Sequence, residues 1–318
     1  MVQAGQISKS QGRLVVIGNF DGVHRGHQSV IHEAGAQAAE SQLILTVLTF
    51  DPHPAAVIRG QAPALITPLE RKLALLKGLP ESPDIEVLRF SRELAALSPR
   101  DFVQQVLVER LRTSSIFVGE NFRFGRDRAG DLDDLRLLGQ ELCFSAQAIP
   151  LKKESEKTLS SSRVRALLAE GCVTEAGEIL GRPHLWGGRV VAGDGRGRAI
   201  GFPTANLEEG DAQLPAEGVY AIDAFVGEKR VPVLPEGDRL PGLVHIGPRP
   251  TVERPNSVEV HLFDREELST NLYGQHLLLG FRGKVRNVER FDGVEKLKQQ
   301  ISRDIEVGRE ILRKKENF

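Results

Sequence analysis

Leu14-Val15-Val16-Ile17-Gly18-Asn19-Phe20-Asp21-Gly22-Val23-His24-Arg25-Gly26-His27 decides the fold of this 318-residue chain. Its first four residues are apolar and mostly β-branched, the pattern of a strand buried on both faces. Glycines punctuate the turn that follows, and Gln28 to Ala39 then carries few strand formers and several helix formers. Strand, glycine-rich turn, paired histidines and helix is the layout of a nucleotide phosphate site. Glycine lets the backbone approach an oxyanion, and a helix N-terminus offers unpaired N–H groups with a favourable dipole. His24 and His27 are three apart, so one helical turn can aim both rings at the same phosphates. Two such histidines are also two-thirds of a zinc site or, singly, buried structural residues. The zinc reading needs further ligands, and Cys143 and Cys172 stand in no CxxC or HExxH arrangement.

Outward from this stretch, the first half alternates strand and helix patterns. Leu43 to Phe50 is a near-continuous apolar run, as in a parallel sheet covered on both faces. Ser98-Pro99 reads as an N-cap with proline at the first helical position. The helix it opens aligns Phe102, Val103, Val106, Leu107 and Leu111, and Ser115 to Val118 is another short strand. The expected fold class is α/β, with a doubly wound parallel sheet whose ligands lie at the carboxyl ends of its strands. Past Gly181-Arg182-Pro183 the pattern changes to short alternating segments broken by Gly and Pro: Arg189–Ala192, Gly218–Val226, Gly242–Ile246, Ser257–Phe263 and Gln275–Phe281. These predict a small antiparallel barrel. A closing helix carries Val294, Leu297, Ile301, Ile305 and Leu312 on the stripe expected to pack on it. The expected domains are residues 1–182 and 183–318.

Composition narrows the function classes. Net charge is −1 with no basic tract, which leaves nucleic-acid binding without electrostatic support. Met1 to Gly12 lacks the apolar core of a secretory signal, and no apolar run approaches a bilayer span. Two isolated cysteines fit a reducing compartment, so the expected location is the cytoplasm. A homo-oligomer is compatible with the sequence, which does not specify one.

HxGH after a strand resembles the signature of nucleotidylyltransferases. With GNFDGVHRGH (18–27), TFDPHP (49–54), VGENFRFGRDRAGD (118–131) and LSSSRVR (159–165) in the first half, and GDGRGRAIGFPTANL (193–207), EGVYA (217–221), IGPRPT (246–251), VEVHLFD (258–264) and LYG (272–274) in the second, the chain resembles the bacterial bifunctional riboflavin kinase/FAD synthetase family over nearly its whole length. The resemblance implies two consecutive steps. ATP phosphorylates riboflavin to FMN, and a second ATP adenylylates FMN to FAD with release of pyrophosphate. It implies small-molecule partners only (riboflavin, FMN, FAD and ATP), with Mg²⁺ as cofactor. The rival readings are a chain retaining one of the two activities, an HxGH enzyme acting on phosphopantetheine or nicotinamide mononucleotide, and a flavin-storing binding protein.

In adenylyl transfer, negative charge accumulates on the α-phosphate while pyrophosphate leaves, so positioned donors matter more than a protein nucleophile. His24 and His27 are the candidate donors, with Gly18, Asn19, Phe20 and Gly26 shaping the phosphate turn. Ser161, Ser162 and Arg163 resemble the family's SSTRxR phosphate clamp, a serine standing where threonine is usual; Arg163 can bridge two phosphate oxygens. Taken alone, the run reads equally as a helix cap. Asn121 matches a flavin- or phosphate-side residue, and Phe50 and Pro54 are candidates for the flavin pocket or ordinary turn and core residues. Arg126 and Arg128 belong either to a closing loop or to solvated surface.

In the second half there is no GxxxxGK[ST], so phosphates must be held without a Walker loop. Gly195 and Gly201 flank the expected phosphate loop. By the resemblance, Thr204 and Asn206 contact Mg²⁺ and ATP, and Glu259 is the general base that takes the riboflavin 5′-hydroxyl proton. Glu259 sits among alternating apolar residues, where a carboxylate facing the barrel interior would be costly without a partner; alone it reads equally as a solvent-facing strand residue. His245 replaces the family's usual Asn, and Val231 to Pro241 looks like a lengthened loop.

Overall fold

Strand β1 (Arg13–Ile17) is the middle of a five-stranded parallel sheet, order β3-β2-β1-β4-β5, with β2 at Ile44–Asp51, β3 at Asp84–Arg89, β4 at Thr113–Gly119 and β5 at Ser145–Ile149. The computed structural model describes residues 12–314 apart from 150–152, 155–156, 194, 209, 229, 249–255 and 265–271. Of the sequence motifs, Asp194 and Arg249-Pro250-Thr251 lie outside the described residues, as does nearly all of the N-terminal segment. The chain divides into two compact units, Met1–Pro63 with Lys72–Leu159 and Ala64–Arg71 with Ser160–Phe318.

In the first unit, alternate residues of β1 feed two apolar layers, because successive strand side chains point to opposite faces. Leu14 and Val16 join Ile31, Ala34 and Ala38 of helix α1 (Arg25–Glu40). Val15 and Ile17 join Phe102, Val103, Val106 and Leu107. Both faces of the strand are therefore covered, as its unbroken apolar run requires. Ser98 caps the helix at Pro99–Phe102 by accepting from the Asp101 N–H, and the helix continues to Arg110 with wider i→i+5 bonding. Chain order reverses at β1, with β2 and β3 to one side and β4 and β5 to the other. That reversal is the switch point where open α/β sheets bind ligands. Helix α1 begins at Arg25, one turn earlier than the composition of Gln28–Ala39 suggests, so HxGH is the first turn of the helix. Helices α2 (Pro54–Arg59) and α3 (Leu69–Lys77) follow β2, and a short ribbon, β6 (Lys153–Glu154) with β7 (Lys157–Thr158), precedes Leu159.

The second unit is a closed antiparallel barrel, β10-β11-β12-β9-β8-β13, with β8 at His184–Val191, β9 at Ala205–Glu208, β10 at Gly218–Gly227, β11 at Leu240–Pro248, β12 at Asn256–Leu262 and β13 at His276–Arg286. It has six strands where the sequence pattern gave five. The missing one, β9, is four residues long and begins at the Ala205 of the PTAN motif, too short for alternation to register, yet it pairs with both β8 and β12 and so completes the closure. The terminal helix (Val294–Arg313) packs through Ile305, Ile311 and Leu312 on Val219, Ala221, Leu243 and Phe263. Its first turn departs from the expected stripe: Val294 is 52% exposed. Close approach occurs instead at buried Gly308, where a Cβ would stand 2.6 Å from Leu243 Cδ2.

Segment Ala64–Arg71 is held in this unit by buried Arg71, whose guanidinium grips Asp211 (2.8 and 3.4 Å) and the Val233 carbonyl (2.9 Å). Beside it lies His184, 1% exposed, whose Nε2–H donates to the Gln213 carbonyl at 2.7 Å. Burial, with help from Arg182 and Arg71, pushes its pKa down to about 4 despite that hydrogen bond. A histidine whose folded pKa lies below its unfolded value near 6.5 binds more protons when unfolded, so its stabilisation is intact above about pH 6.5 and is lost as pH falls toward 4. The loss by pH 4 is on the order of 3 kcal/mol. Urea unfolding midpoints should therefore drop between pH 7.5 and 5, and His184→Gln should flatten that dependence. An unchanged pH dependence in the variant would contradict the assignment.

Candidate active sites

The turn after β1 holds three residues in left-handed backbone: Phe20 (φ 51), Gly22 (φ 88) and Val23 (φ 41). For glycine this is ordinary, but for a β-branched valine it is strained by an amount of order 1–3 kcal/mol. Packing holds it, since Phe20 and Val23 are buried with Ile31 and Phe117. The turn delivers His24 as N-cap of α1, its Nδ1 accepting from the His27 N–H at 3.3 Å. The neutral His24 ring therefore carries its proton on Nε2. The two imidazoles stack at 3.6 Å between centroids. Gly26 permits this, because a Cβ there would stand 3.1 Å from the His24 ring and 3.2 Å from the Leu159 carbonyl. His27 packs edge-on to Phe20 at 5.1 Å, and its buried Nδ1 has no hydrogen-bond partner among the described residues. Burial, then neighbouring His24, then Lys72, holds the His27 pKa well below the usual value. Near neutral pH the site thus offers a neutral imidazole beside the open end of a helix, which suits hydrogen bonding to phosphate oxygens.

At the end of β2, His53 caps α2, its Nδ1 accepting from the Ala55 N–H at 3.1 Å. The ring proton is then on Nε2, 3.2 Å from the Asn19 amide. The consistent assignment turns the Asn19 oxygen to His53 and frees its NH₂ to donate elsewhere. Phe50 is half-buried, edge-on to Phe90, and packs on the same apolar layer as Phe122. Pro54 opens α2, and exposed Asn121 lies in the turn after β4. The carboxyl ends of β1, β2 and β4 thus carry Asn19, Phe50 with Pro54, and Asn121. Gly18 would bring a Cβ within 3.1 Å of the Phe20 ring. Arg126 and Arg128 are exposed. Ser161, Ser162 and Arg163 form the first turn of the helix Ser161–Glu170, in the second unit, capped by Ser160, which accepts from the Arg163 N–H.

On the barrel, cross-strand register sets Asn206 beside Glu259 and Glu259 beside His245. Val258, Val260 and Leu262 fill the interior, so Glu259 points to the outer face rather than inward, where water relieves the cost of its charge. The glycine loop lies against the residues next to it: a Cβ on Gly193 would meet Asn206 Nδ2 at 2.0 Å, and one on Gly197 would meet Thr204 Oγ1 at 3.2 Å. Gly195 (φ 68) and Gly201 (φ 91) take left-handed backbone with open space around them. Thr204 and Asn206 supply hard oxygen donors without a carboxylate cage, a set that fits Mg²⁺ sharing its coordination with waters and nucleotide phosphates. Burial lowers the pKa of His245, which Glu259, Glu217 and Asp304 oppose and Arg286 reinforces.

Sequence reasoning passed over five contributors. His53 lay inside a quoted motif, unread. His261, two residues past Glu259, donates from Nδ1 to the Pro203 carbonyl at 2.9 Å and ties the PTAN turn to β12. Thr49 opens the TFDPHP motif and Lys72 stands outside every motif, and both are buried. Asp304, a charged position in an amphipathic helix, is buried against Arg286 at 2.9 Å.

Residues 6–163 match the FAD synthetase family and residues 180–312 the riboflavin kinase family. Proteins described as bifunctional riboflavin kinase/FMN adenylyltransferase are similar along most of the chain. The one from Escherichia coli K12 is 38% identical, covering 95% of this chain and 93% of its own. That from Bacillus subtilis 168 is 36% identical, covering 94% and 92%. A crystal structure described as a macrolide-efflux protein from Streptococcus pneumoniae has a TM-score of 0.82 at 28% identity, covering 95% of each chain. Among the described residues, no helix is long and apolar enough to cross a membrane.

The histidine tautomers can be read directly by NMR. In ¹⁵N-imidazole NMR spectra, His24 should show a protonated Nε2 and an unprotonated Nδ1 at pH 7. His27 should stay neutral well below pH 6.5, and a His27 midpoint at or above 6.5 would contradict the burial argument.

Proposed function

The chain belongs to the bifunctional riboflavin kinase/FMN adenylyltransferase family, and we propose that its adenylyl transfer is carried by the turn between β1 and α1 and its phosphoryl transfer by the outer face of the barrel at β9 and β12. The enzyme phosphorylates riboflavin to FMN and adenylylates FMN to FAD, with ATP as donor in both steps. The observation that carries the division is the pair of stacked histidines at a helix N-terminus in one unit and the Asn206–Glu259–His245 register in the other. Functionally we assign residues 1–182 to the adenylyltransferase and 183–318 to the kinase. We also assign the enzyme to the cytoplasm.

In adenylyl transfer an FMN phosphate oxygen attacks the ATP α-phosphorus; one P–O bond forms and the bond to pyrophosphate breaks. His24 Nε2–H, the His27 ring, the freed Asn19 amide and the first-turn N–H groups of α1 donate to the oxygens that gain charge. Gly18, Phe20 and Gly26 shape the turn. Ser161, Ser162 and Arg163 complete the phosphate clamp, an assignment supported by the FAD synthetase match, which runs through residue 163. Phe50, Pro54 and Asn121 receive the flavin.

In the kinase step Glu259 accepts the riboflavin 5′-hydroxyl proton as that oxygen attacks the γ-phosphorus, and Gly195 and Gly201 let the loop backbone approach the phosphates. Thr204 and Asn206 would hold Mg²⁺, which would neutralise phosphate charge there. With Glu259 outside the barrel, riboflavin can approach it without entering the packed interior.

Chromatography of flavins after incubation with riboflavin, ATP and Mg²⁺ separates the steps. His27→Ala should cut FAD formation by about 10²-fold or more while FMN still forms. Glu259→Ala should slow FMN formation by about 10²–10⁴-fold while supplied FMN is still converted to FAD. Loss of FMN formation in His27→Ala, or loss of FAD formation from supplied FMN in Glu259→Ala, would sink the two-site assignment.

A further inference from the structure

Lys72 is buried, at 7% exposure, on α3, and its ammonium reaches three acceptors: Thr49 Oγ1 (3.0 Å), the Asn19 carbonyl (3.2 Å) and the Phe50 carbonyl (3.4 Å). An ammonium has three N–H donors, so this set satisfies it fully. Thr49, itself buried, donates to the same Asn19 carbonyl at 3.0 Å. The three groups form a closed triangle joining the carboxyl end of β1 to that of β2. Surface lysines do not make such arrangements, because burying an ammonium is costly unless it is fully hydrogen-bonded and charge-balanced. Two carboxylates balance the charge: Asp21 of the glycine turn, itself buried, and Asp51 of β2 both oppose the downward push of burial on Lys72.

We propose that Lys72 is a positioning residue for adenylyl transfer, fixing the glycine turn that bears Asn19 and the histidines against the turn that bears Phe50 and Pro54. The proposal rests on the assignment of adenylyl transfer to those turns. Nucleotide and flavin must meet with reacting atoms aligned, and displacements near 1 Å in such an arrangement cost about 10²-fold in rate. Asn19 is then held twice, through its carbonyl by Lys72 and Thr49 and through its side chain by His53. Lys72 also lies near enough to His27 to bias that ring toward its neutral form, together with the His24 cap of α1. Asp21 and Asp51 face Lys72 from the turn and from β2.

The test compares full-length Lys72→Met, Lys72→Arg, Thr49→Val and His27→Ala. For Lys72→Met, kcat for FAD formation from supplied FMN should fall at least about tenfold, with KM for ATP changing less and riboflavin phosphorylation retained. His27 should titrate at higher pH in Lys72→Met than in the parent, and Lys72→Arg, which keeps the cation, should restore the lower midpoint. Thr49→Val, which leaves the ammonium in place, should give a smaller loss of the same kind and serves if Lys72→Met does not fold. The proposal is overturned if Lys72→Met and Thr49→Val both form FAD at the parental rate, or if FMN and FAD formation fall together with thermal stability and the His27 midpoint does not move. His27→Ala making FAD normally would instead overturn the assignment of the site.

Discussion

The Asn19 carbonyl accepts from Thr49 and Lys72 at once, and the adenylyl end of the sheet depends on that junction. Parallel strands have no hairpins to fix the separation of their carboxyl ends, so the loops above them must be tied by side chains. Here the tie is polar and lies beneath the catalytic turn, in a sheet whose other interior positions are almost all apolar. That placement supports a strained backbone: Val23 at φ 41 persists because the residues on either side are fastened, Asn19 from below and His24 by the helix it caps. The strain in turn aims two imidazoles in parallel, which a relaxed turn would not do.

The barrel solves a related problem by other means. Its glycine loop lies against β9, with Gly193 bringing the loop close to Asn206 and Gly197 bringing it close to Thr204. A side chain at either glycine would occupy the space the ligand-holding groups need. Asn206 lies in the strand that completes the barrel and Thr204 immediately before it, so barrel closure and the proposed metal site depend on the same segment. His261 adds the fastening from β12, two residues from the proposed base.

How far the sequence was readable follows from the range of the interactions. Leu14–Ile17, Leu43–Phe50 and the Ser98-Pro99 cap were legible because burial on both faces and helix capping are local patterns. The histidine pair was legible because a glycine-punctuated strand–helix junction leaves few other uses for it. Lys72 was not, since a lysine in an amphipathic helix looks solvated until the acceptors, 22 to 53 residues away in sequence, are brought beneath it. Asp304 and β9 failed for the same reason: one needs Arg286 from another element, the other needs β8 and β12 on its two sides. Glu259 was legible as an anomaly in an alternating strand, but its direction was not, because alternation does not say which face closes into a barrel.

The two proposed sites would hold the same nucleotide with different chemistry, and the difference follows from where each reaction breaks ATP. Attack at the α-phosphorus uses a nucleophile, FMN phosphate, that is already ionised, so the first site needs donors and no base. Imidazole donors at a helix N-terminus meet that need, and burial favours the neutral form of His27. Attack at the γ-phosphorus by a riboflavin hydroxyl leaves a proton to be taken, so the second site needs a carboxylate. A strand position on the outer face of the barrel keeps the proposed carboxylate, Glu259, out of the packed interior, where burying its charge would be costly. Burial is thus used in one site and avoided in the other, each according to the proton its reaction must hold or lose.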